Sequence, residues 1–181
     1  MELVGIRPHS HESRSHQGVF VFRKGDRVMY PHHGAAVIKD LVELEVFGKR
    51  RTYLKLCLPH GDLSIMVPVD STEQVGLRGV VSRDEVDKVF DLLREDEGWM
   101  PGIWGQRYKT NLAKLISGDI YQVAEVVRDL SLRESGKGLS PAEKRMLAKA
   151  REILISELTF ALDSTEENAE AILDEVLEES R

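Results

Sequence analysis

The chain of 181 residues carries 25 Lys and Arg against 31 Asp and Glu, a formal net charge of −6. This balance argues against a protein that binds nucleic acid over its whole surface. The single cysteine, Cys57, excludes an internal disulfide. No apolar run approaches the roughly 20 residues of a membrane span. The length and apolar content suit one or two domains with at least one buried core.

Charge is distributed unevenly along the chain. Residues 101–151 hold 10 Lys and Arg and 5 Asp and Glu, a net of +5. Residues 152–181 hold 1 against 10, a net of −9. A basic stretch inside an acidic chain is a candidate for a surface that faces phosphates.

Residues 1–19 lack the apolar core of a signal peptide and show no helical or strand period, so we predict a disordered N-terminal extension. The extension contains His9, His11 and His16. Without cysteines or a folded context, these histidines do not predict a metal site.

Residues 20–76 are predicted to form a small β module. Short β-rich runs alternate with turn signals, and two strands are expected at Val42–Phe47 and Arg51–Leu58, separated at Gly48. Alternation puts Leu44 on the same face as its neighbouring valines. No helix fits between the strands, which disfavours a parallel α/β sheet and indicates a half-open barrel.

Residues 77–82 are predicted to be a hinge, and residues 83–181 a helical domain, because the apolar spacing changes to 3.6 residues. The expected fold class is therefore α+β, with five helices after the β module. The predicted helix starts lie at Ser82, near Trp104, and at Asp119, Ser140 and Ser164. At the fourth start, Pro141 takes the first helical position and Glu143 completes a capping box.

Enzyme signatures are absent from the sequence: it has no GxGxxG, GxxxxGK[ST], GxSxG or HExxH motif. His32 and His33 follow Pro31 and precede Gly34, a setting typical of a turn, and neighbouring residues of an extended strand point to opposite faces. A metal or acid–base role for this pair is the less favoured alternative. We expect a protein that is not an enzyme and uses no cofactor.

The basic stretch contains an aromatic residue and two sets of cations. Trp104 follows a Pro-Gly turn, with Arg107 and Lys109 directly behind it, and the fourth helix carries Lys144 and Lys149 among apolar residues. A solvated helix face is the alternative. Cations that neutralise phosphates beside a flat side chain that stacks on or wedges between bases are what a groove binder needs.

Several blocks, in order, resemble the CarD/CdnL family of bacterial transcription regulators, and most closely its actinobacterial members. They are FRKGDRVMYPHHGAAVI, YLKL, GDLSIMVPV, WGQRYKTNL, VAEVVRDL and GLSPAEKRMLAKAREIL. The resemblance runs from Phe22 to Leu177. It implies an N-terminal Tudor-like module that binds the RNA polymerase β subunit. It also implies a helical domain that contacts promoter DNA at the upstream edge of the transcription bubble.

The resemblance also implies residue roles in DNA binding. The family's minor-groove wedge tryptophan falls on Trp104, and its DNA-backbone cations fall on Arg107, Lys109 and Lys144. Relatives often carry arginine two positions after the wedge, where this chain has Gln106, so one phosphate contact is expected to be missing.

The implied polymerase contacts differ from those of close relatives, in which two arginines take the positions of Leu44 and Met66. Polymerase binding is therefore expected to rest on strand pairing and apolar contact around Leu44, Met66 and Pro68.

The resulting hypothesis is a monomeric global regulator of transcription initiation, cytoplasmic and associated with the nucleoid through RNA polymerase, with no membrane partner. It binds the β subunit and stabilises the promoter open complex by inserting Trp104 into the minor groove. The alternative is a polymerase-binding module without a direct DNA role, in which Trp104 belongs to the core.

Overall fold

The computed structural model describes residues 22–31, 33–58, 64–95 and 100–179. The predicted N-terminal extension with its three histidines, and His32, lie outside the described residues.

Five antiparallel strands form one sheet in the described part of the N-terminal half. They are β1 (Arg27–Tyr30), β2 (Gly34–Val46), β3 (Lys49–Cys57), β4 (Ser64–Pro68) and β5 (Arg78–Gly79). The spatial order is β4-β3-β2-β1-β5, so β4 and β5 are the two edge strands. A single 3-10 turn, Val69–Ser71, follows β4.

The buried face of the sheet packs around Ile38, Leu54, Leu56 and Val67, which alternate with half-buried and exposed residues along their strands. The predicted break between the two long strands is confirmed at Gly48, which has a positive φ of 73°. The strand predicted at Val42–Phe47 begins earlier than expected, because β2 already starts at Gly34 and its residues 34–37 pair with β1.

Five helices follow in the described residues. They are α1 (Arg83–Leu93), α2 (Trp104–Ser117), α3 (Ile120–Gly136), α4 (Pro141–Ala161) and α5 (Glu166–Glu179). The predicted capping boxes at Ser82 and Ser140 are both confirmed. The start predicted at Ser164 was one residue early, because the Thr165 side chain, not that of Ser164, accepts the backbone N–H of Asn168, at 3.3 Å.

The helical core is centred on α3, α4 and α5. Val127 and Leu130 of α3, Leu154 and Leu158 of α4, and Leu173 of α5 are fully buried in one cluster. A sheet module followed by a helical domain confirms the predicted α+β class.

A charged contact joins the two modules where the hinge was predicted. The Nη atoms of Arg78 on β5 lie 2.5 and 2.9 Å from the two carboxylate oxygens of Glu157 on α4, which is buried. The Val81 N–H donates to the same carboxylate at 3.2 Å. Leu77 is buried in the sheet core. Strand pairing of Arg78 and Gly79 and the Glu157 carboxylate thus contact the segment at residues 77–82 in this structure, and its role as a hinge stays a prediction.

Arg78 also binds the helix that begins at Trp104. Its Nε and Nη2 atoms donate to the carbonyl oxygen of Gly118, the C-cap of α2, at 3.0 and 2.8 Å. A cation at this position complements the partial negative charge at the end of a helix. One side chain of the β module thus contacts both α2 and α4.

A close backbone approach forms a further contact between the modules. Gly34 has a φ of +86°, and a Cβ atom there would lie 2.7 Å from Ser156 Oγ on α4. The same hydroxyl accepts the backbone N–H of Ala35 at 3.1 Å. The start of β2 is therefore packed directly onto α4.

Replacing Arg78 with methionine is expected to lower the free energy of unfolding by about 3–5 kcal/mol, because Glu157 remains as a buried carboxylate without a counter-charge. Lys24→Met is the control. Lys24 lies 3.8 Å from Asp40 in an exposed pair, and losing such a pair costs about 1 kcal/mol or less. Urea denaturation at neutral pH measures both. Equal losses in the two variants would contradict a structural role for the Arg78–Glu157 contact.

Candidate functional site

Trp104 is the first residue of α2 and is half exposed, at 50% of its full accessibility. The preceding residue, Ile103, is also exposed and provides no side-chain cap for the helix. The indole stacks against Tyr108, one turn further along, with ring centroids 5.7 Å apart and an interplanar angle of 27°. One part of the ring is supported by the protein and the other faces solvent.

The indole N–H is fixed by the first turn of α4. Trp104 Nε1 donates to Ser140 Oγ at 3.1 Å. The same hydroxyl accepts the Glu143 backbone N–H at 3.3 Å and donates to Glu143 Oε2 at 2.8 Å. A serine hydroxyl has one donor and two acceptor sites, so these three bonds use its full capacity. Ser140 is both the N-cap of α4 and the hydrogen-bond partner of the tryptophan.

A buried ion pair lies behind this contact. Arg107 Nε donates to Glu143 Oε1 at 2.7 Å, and the two side chains are only 3% and 2% exposed. Arg107 Nη1 also donates to the carbonyl oxygens of Pro101 and Gly102, each at 3.2 Å. These bonds tie the turn before Trp104 to α4.

The buried position corrects one of the predicted roles. Arg107 was expected to contact the DNA backbone, but its guanidinium is enclosed and paired with Glu143. It lies one helical turn after Trp104 on the inner side of α2, so it is not accessible to a phosphate. The charge that the sequence places beside the tryptophan is used inside the domain.

The environment of Glu143 shifts its pKa. Burial raises the pKa, but hydrogen bonds from the Ser140 backbone, the Arg107 guanidinium and the Ser140 hydroxyl, together with the Arg107 charge, outweigh it. The net pKa is lowered from the ordinary value of 4.5. Glu143 is therefore held as a carboxylate at neutral pH, the form that can pair with Arg107.

The other three predicted cations differ in their surroundings. Lys109 on α2 is exposed. Lys144 on α4 is also exposed, and its Nζ lies 3.9 Å from Glu134 Oε1. Lys149 is half-buried and closer to its partner, with Nζ 2.9 Å from Glu152 Oε1. Lys144 lies one turn beyond Ser140, which brings it to the same end of the domain as Trp104.

The predicted polymerase contacts lie together on the outer face of the sheet. Tyr53 pairs with Pro68 and Lys55 pairs with Met66, so both β4 residues share one face. Leu44 is on the same face of β2, opposite Arg51. Leu44 and Met66 are 38% and 37% exposed, and Pro68 is half-buried. Because β4 is an edge strand, its outer backbone groups are open to a further strand in the described structure.

The sequence did not indicate the partners that position Trp104. Ser140 and Glu143 are predictable as a capping box, but their contacts with α2 are 36 residues distant in sequence. Contacts between residues so far apart in sequence leave no local pattern in it.

His33, the histidine of the predicted turn that the structure describes, stacks on Tyr30 with ring centroids 5.0 Å apart.

No group of three or more possible metal ligands occurs within the described ranges. Among the helices of the described chain, none combines the length and apolar character needed to cross a bilayer.

Comparison with known proteins identifies both parts of the chain. Residues 22–81 match the CarD-like/TRCF RID domain, and residues 88–174 match the CarD C-terminal domain. The putative transcription factor YdeB of Bacillus subtilis (strain 168) is 33% identical over 146 residues, which cover 81% of this chain and 95% of that protein.

A Tudor-like RNA polymerase-interacting module joined to this helical domain defines a two-domain transcription factor. The chain belongs to the CarD family. The likeness to actinobacterial members stays a prediction.

Glu143→Gln is expected to lower the free energy of unfolding at neutral pH by about 3 kcal/mol, because the buried Arg107 loses its counter-charge. A lowered carboxyl pKa contributes stability above the unfolded value, and this contribution is lost as pH falls through the folded value. The extra stability of the wild-type protein over Glu143→Gln should therefore disappear as pH falls below the ordinary carboxyl pKa of 4.5. Denaturant unfolding across this pH range measures it. If the difference in unfolding free energy between wild type and Glu143→Gln stays constant through the acid range, the role of the ion pair is contradicted.

Proposed function

We propose that this protein binds the β subunit of RNA polymerase through its β module and stabilises the promoter open complex through its helical domain. The observation that carries the proposal is the position of Trp104, half exposed at a helix start yet fixed through Ser140. We expect it to act as a monomer, located at the nucleoid through polymerase.

Trp104 is suited to act as a wedge at the upstream edge of the bubble. Inserting a side chain between base pairs partly unstacks one step at a cost of about a few kcal/mol. That cost is already lowered where the duplex is melting, so the ring opposes re-annealing there. The bond to Ser140 and the stacking on Tyr108 limit the rotations that the indole would otherwise lose on binding.

Lys109 and Lys144 are the cations best placed to contact phosphates, because both are exposed. Lys149 has a competing partner in Glu152 and makes a weaker contribution. Two or three phosphate contacts give weak binding to free duplex, particularly in a chain with a net charge of −6. Polymerase therefore supplies the high local concentration that DNA binding requires.

Polymerase binding rests on the outer face of the sheet around Leu44, Met66 and Pro68. An open edge strand offers main-chain hydrogen bonds to an added strand, while the exposed side chains give apolar contact. Where close relatives have arginines, this chain uses burial of apolar surface.

The alternative is a polymerase-binding module in which Trp104 has only a structural role. A core tryptophan would be enclosed, whereas Trp104 is 50% exposed. The exposure favours the wedge, and the effect of truncating the ring separates the two hypotheses.

Trp104→Ala is expected to leave polymerase binding intact and to shorten the open-complex lifetime by about five- to hundred-fold, because a base–aromatic contact contributes about 1–3 kcal/mol. Promoter-complex decay after a competitor challenge measures this lifetime. Ile116→Ala is the matched control, since Ile116 is 47% exposed on the same helix but far from its start. A structural tryptophan would instead cost about 3–5 kcal/mol of stability, so a large drop in melting temperature with no specific effect on lifetime would refute the wedge.

Met66→Glu is expected to weaken binding to core RNA polymerase, because it places a charge in an apolar contact at the edge strand. Leu112→Glu is the matched control, since Leu112 is 36% exposed and lies in the helical domain. Titration of polymerase with each full-length variant measures the affinity. Equal affinities would contradict the assigned face, and a wild-type protein that does not bind polymerase would contradict the proposed function.

A further inference from the structure

The β2–β3 hairpin extends beyond the rest of the sheet. β1 pairs with β2 only over Gly34–Val37, and β4 pairs with β3 only over Tyr53–Cys57. The segment Glu43–Thr52, here called the hairpin arm, forms ladder pairs only within itself. None of its residues is buried. A two-stranded ribbon of this kind is marginally stable in water.

The turn of the hairpin arm carries a fully exposed aromatic side chain. Val46 pairs with Lys49, which leaves Phe47 and Gly48 as a two-residue loop. Phe47 is 100% exposed, more than any other large apolar residue in the described chain. It has a φ of +52°, and Gly48 has a φ of +73°. These two positive φ angles match a type I′ turn, in which Asn-Gly is the preferred pair.

Phenylalanine is therefore unfavourable here in two ways. A bulky residue in the left-handed region costs energy that asparagine or glycine largely avoids. A phenyl ring in water also gains none of the free energy of burial. In the described structure no contact of Phe47 offsets either cost. Strain maintained without internal compensation is a feature of binding positions.

The apolar surface of the hairpin arm is continuous with the proposed polymerase-binding face. Leu44 and Val46 alternate along β2, so both share the outer face that carries Met66 and Pro68. Phe47 directly follows Val46, at the turn that ends the arm. Three consecutive cations, Lys49–Arg51, follow the turn on the returning strand. Arg50 and Arg51 make only long, exposed ion pairs, at 3.9 Å with Glu45 and 3.7 Å with Asp70, and such pairs contribute little.

We propose that Phe47 is an anchor residue that inserts into an apolar pocket of the RNA polymerase β subunit, with carboxylates at the rim of the pocket facing the cations of Lys49–Arg51. This inference rests on the proposed function and adds a second contact to it. The edge strand supplies main-chain pairing, and Phe47 supplies a buried aromatic contact. Aromatic residues that fill pockets contribute a large share of the energy of protein interfaces.

Phe47→Asn separates binding from folding, because it should favour the turn while removing the anchor. The full-length variant is expected to be at least as stable as wild type in urea denaturation. Its affinity for core RNA polymerase is expected to fall by about tenfold or more, the range of an interface hot spot. Phe47→Leu keeps an apolar group and should retain most of the affinity. Phe47→Ser should bind as weakly as Phe47→Asn.

The outcomes separate this inference from the proposed function. A wild-type protein that does not bind polymerase overturns both. Wild-type binding with unchanged affinity in Phe47→Asn overturns the anchor and leaves the edge-strand contact in place. Sedimentation of wild type and Phe47→Asn tests whether Phe47 instead contacts a second copy of the chain. If wild type forms a dimer that the variant loses while polymerase affinity is unchanged, Phe47 contacts a second copy of the chain and the proposal is overturned.

Discussion

The ion pair between Arg107 and Glu143 is the interaction on which the candidate DNA site depends. Its two side chains are almost completely enclosed, and the same glutamate caps α4 through Ser140. Removing either charge leaves the other buried without compensation, which costs more than the pair itself contributes. The pair therefore stabilises the domain mainly by making other arrangements of α2 and α4 costly. Trp104 is held between these two helix starts.

This arrangement changes how the basic character of the segment is used. Arg107 contributes to the charge of the sequence but not to that of the surface. With Gln106 beside it, the neighbourhood of Trp104 contains fewer accessible cations than its composition suggests. Under the proposed function, electrostatic attraction to DNA is correspondingly limited, and the ring is the more important contact. The proposal that polymerase brings the protein to DNA agrees with this small number of accessible cations.

The sequence predicts local features of this fold well. The capping residues Ser82 and Ser140, the break at Gly48 and the shared face of Leu44 and its neighbouring valines all depend on a few neighbouring residues. The role of Arg107 was misjudged, and the contacts of Arg78 were not foreseen, because their partners are distant. Arg78 and Glu157 are 79 residues apart, and Arg107 and Glu143 are 36 apart. Whether a cation faces water or a buried carboxylate is decided by such contacts, and no period or spacing contains that information.

Phe47 illustrates a different limit. The turn at Gly48 is predictable, but the exposure of the preceding phenylalanine is not, since an aromatic residue in a β-rich run usually points to a core. The exposure follows from the length of the strands: β2 and β3 continue past the ends of their neighbours. In the described structure, neither β1 nor β4 pairs with this extended part of β2 and β3.

The contact of Arg78 with Gly118 has a geometric consequence. It fixes the C-terminal end of α2 to the β module, while Trp104 is the first residue of the same helix. The 14 residues of α2 make a rigid segment of about 21 Å between the two. Adding or removing one residue would turn the indole by about 100° around the helix axis and move it by about 1.5 Å. The position of Trp104 relative to the β module therefore depends on the residue count of α2 as well as on the bond to Ser140.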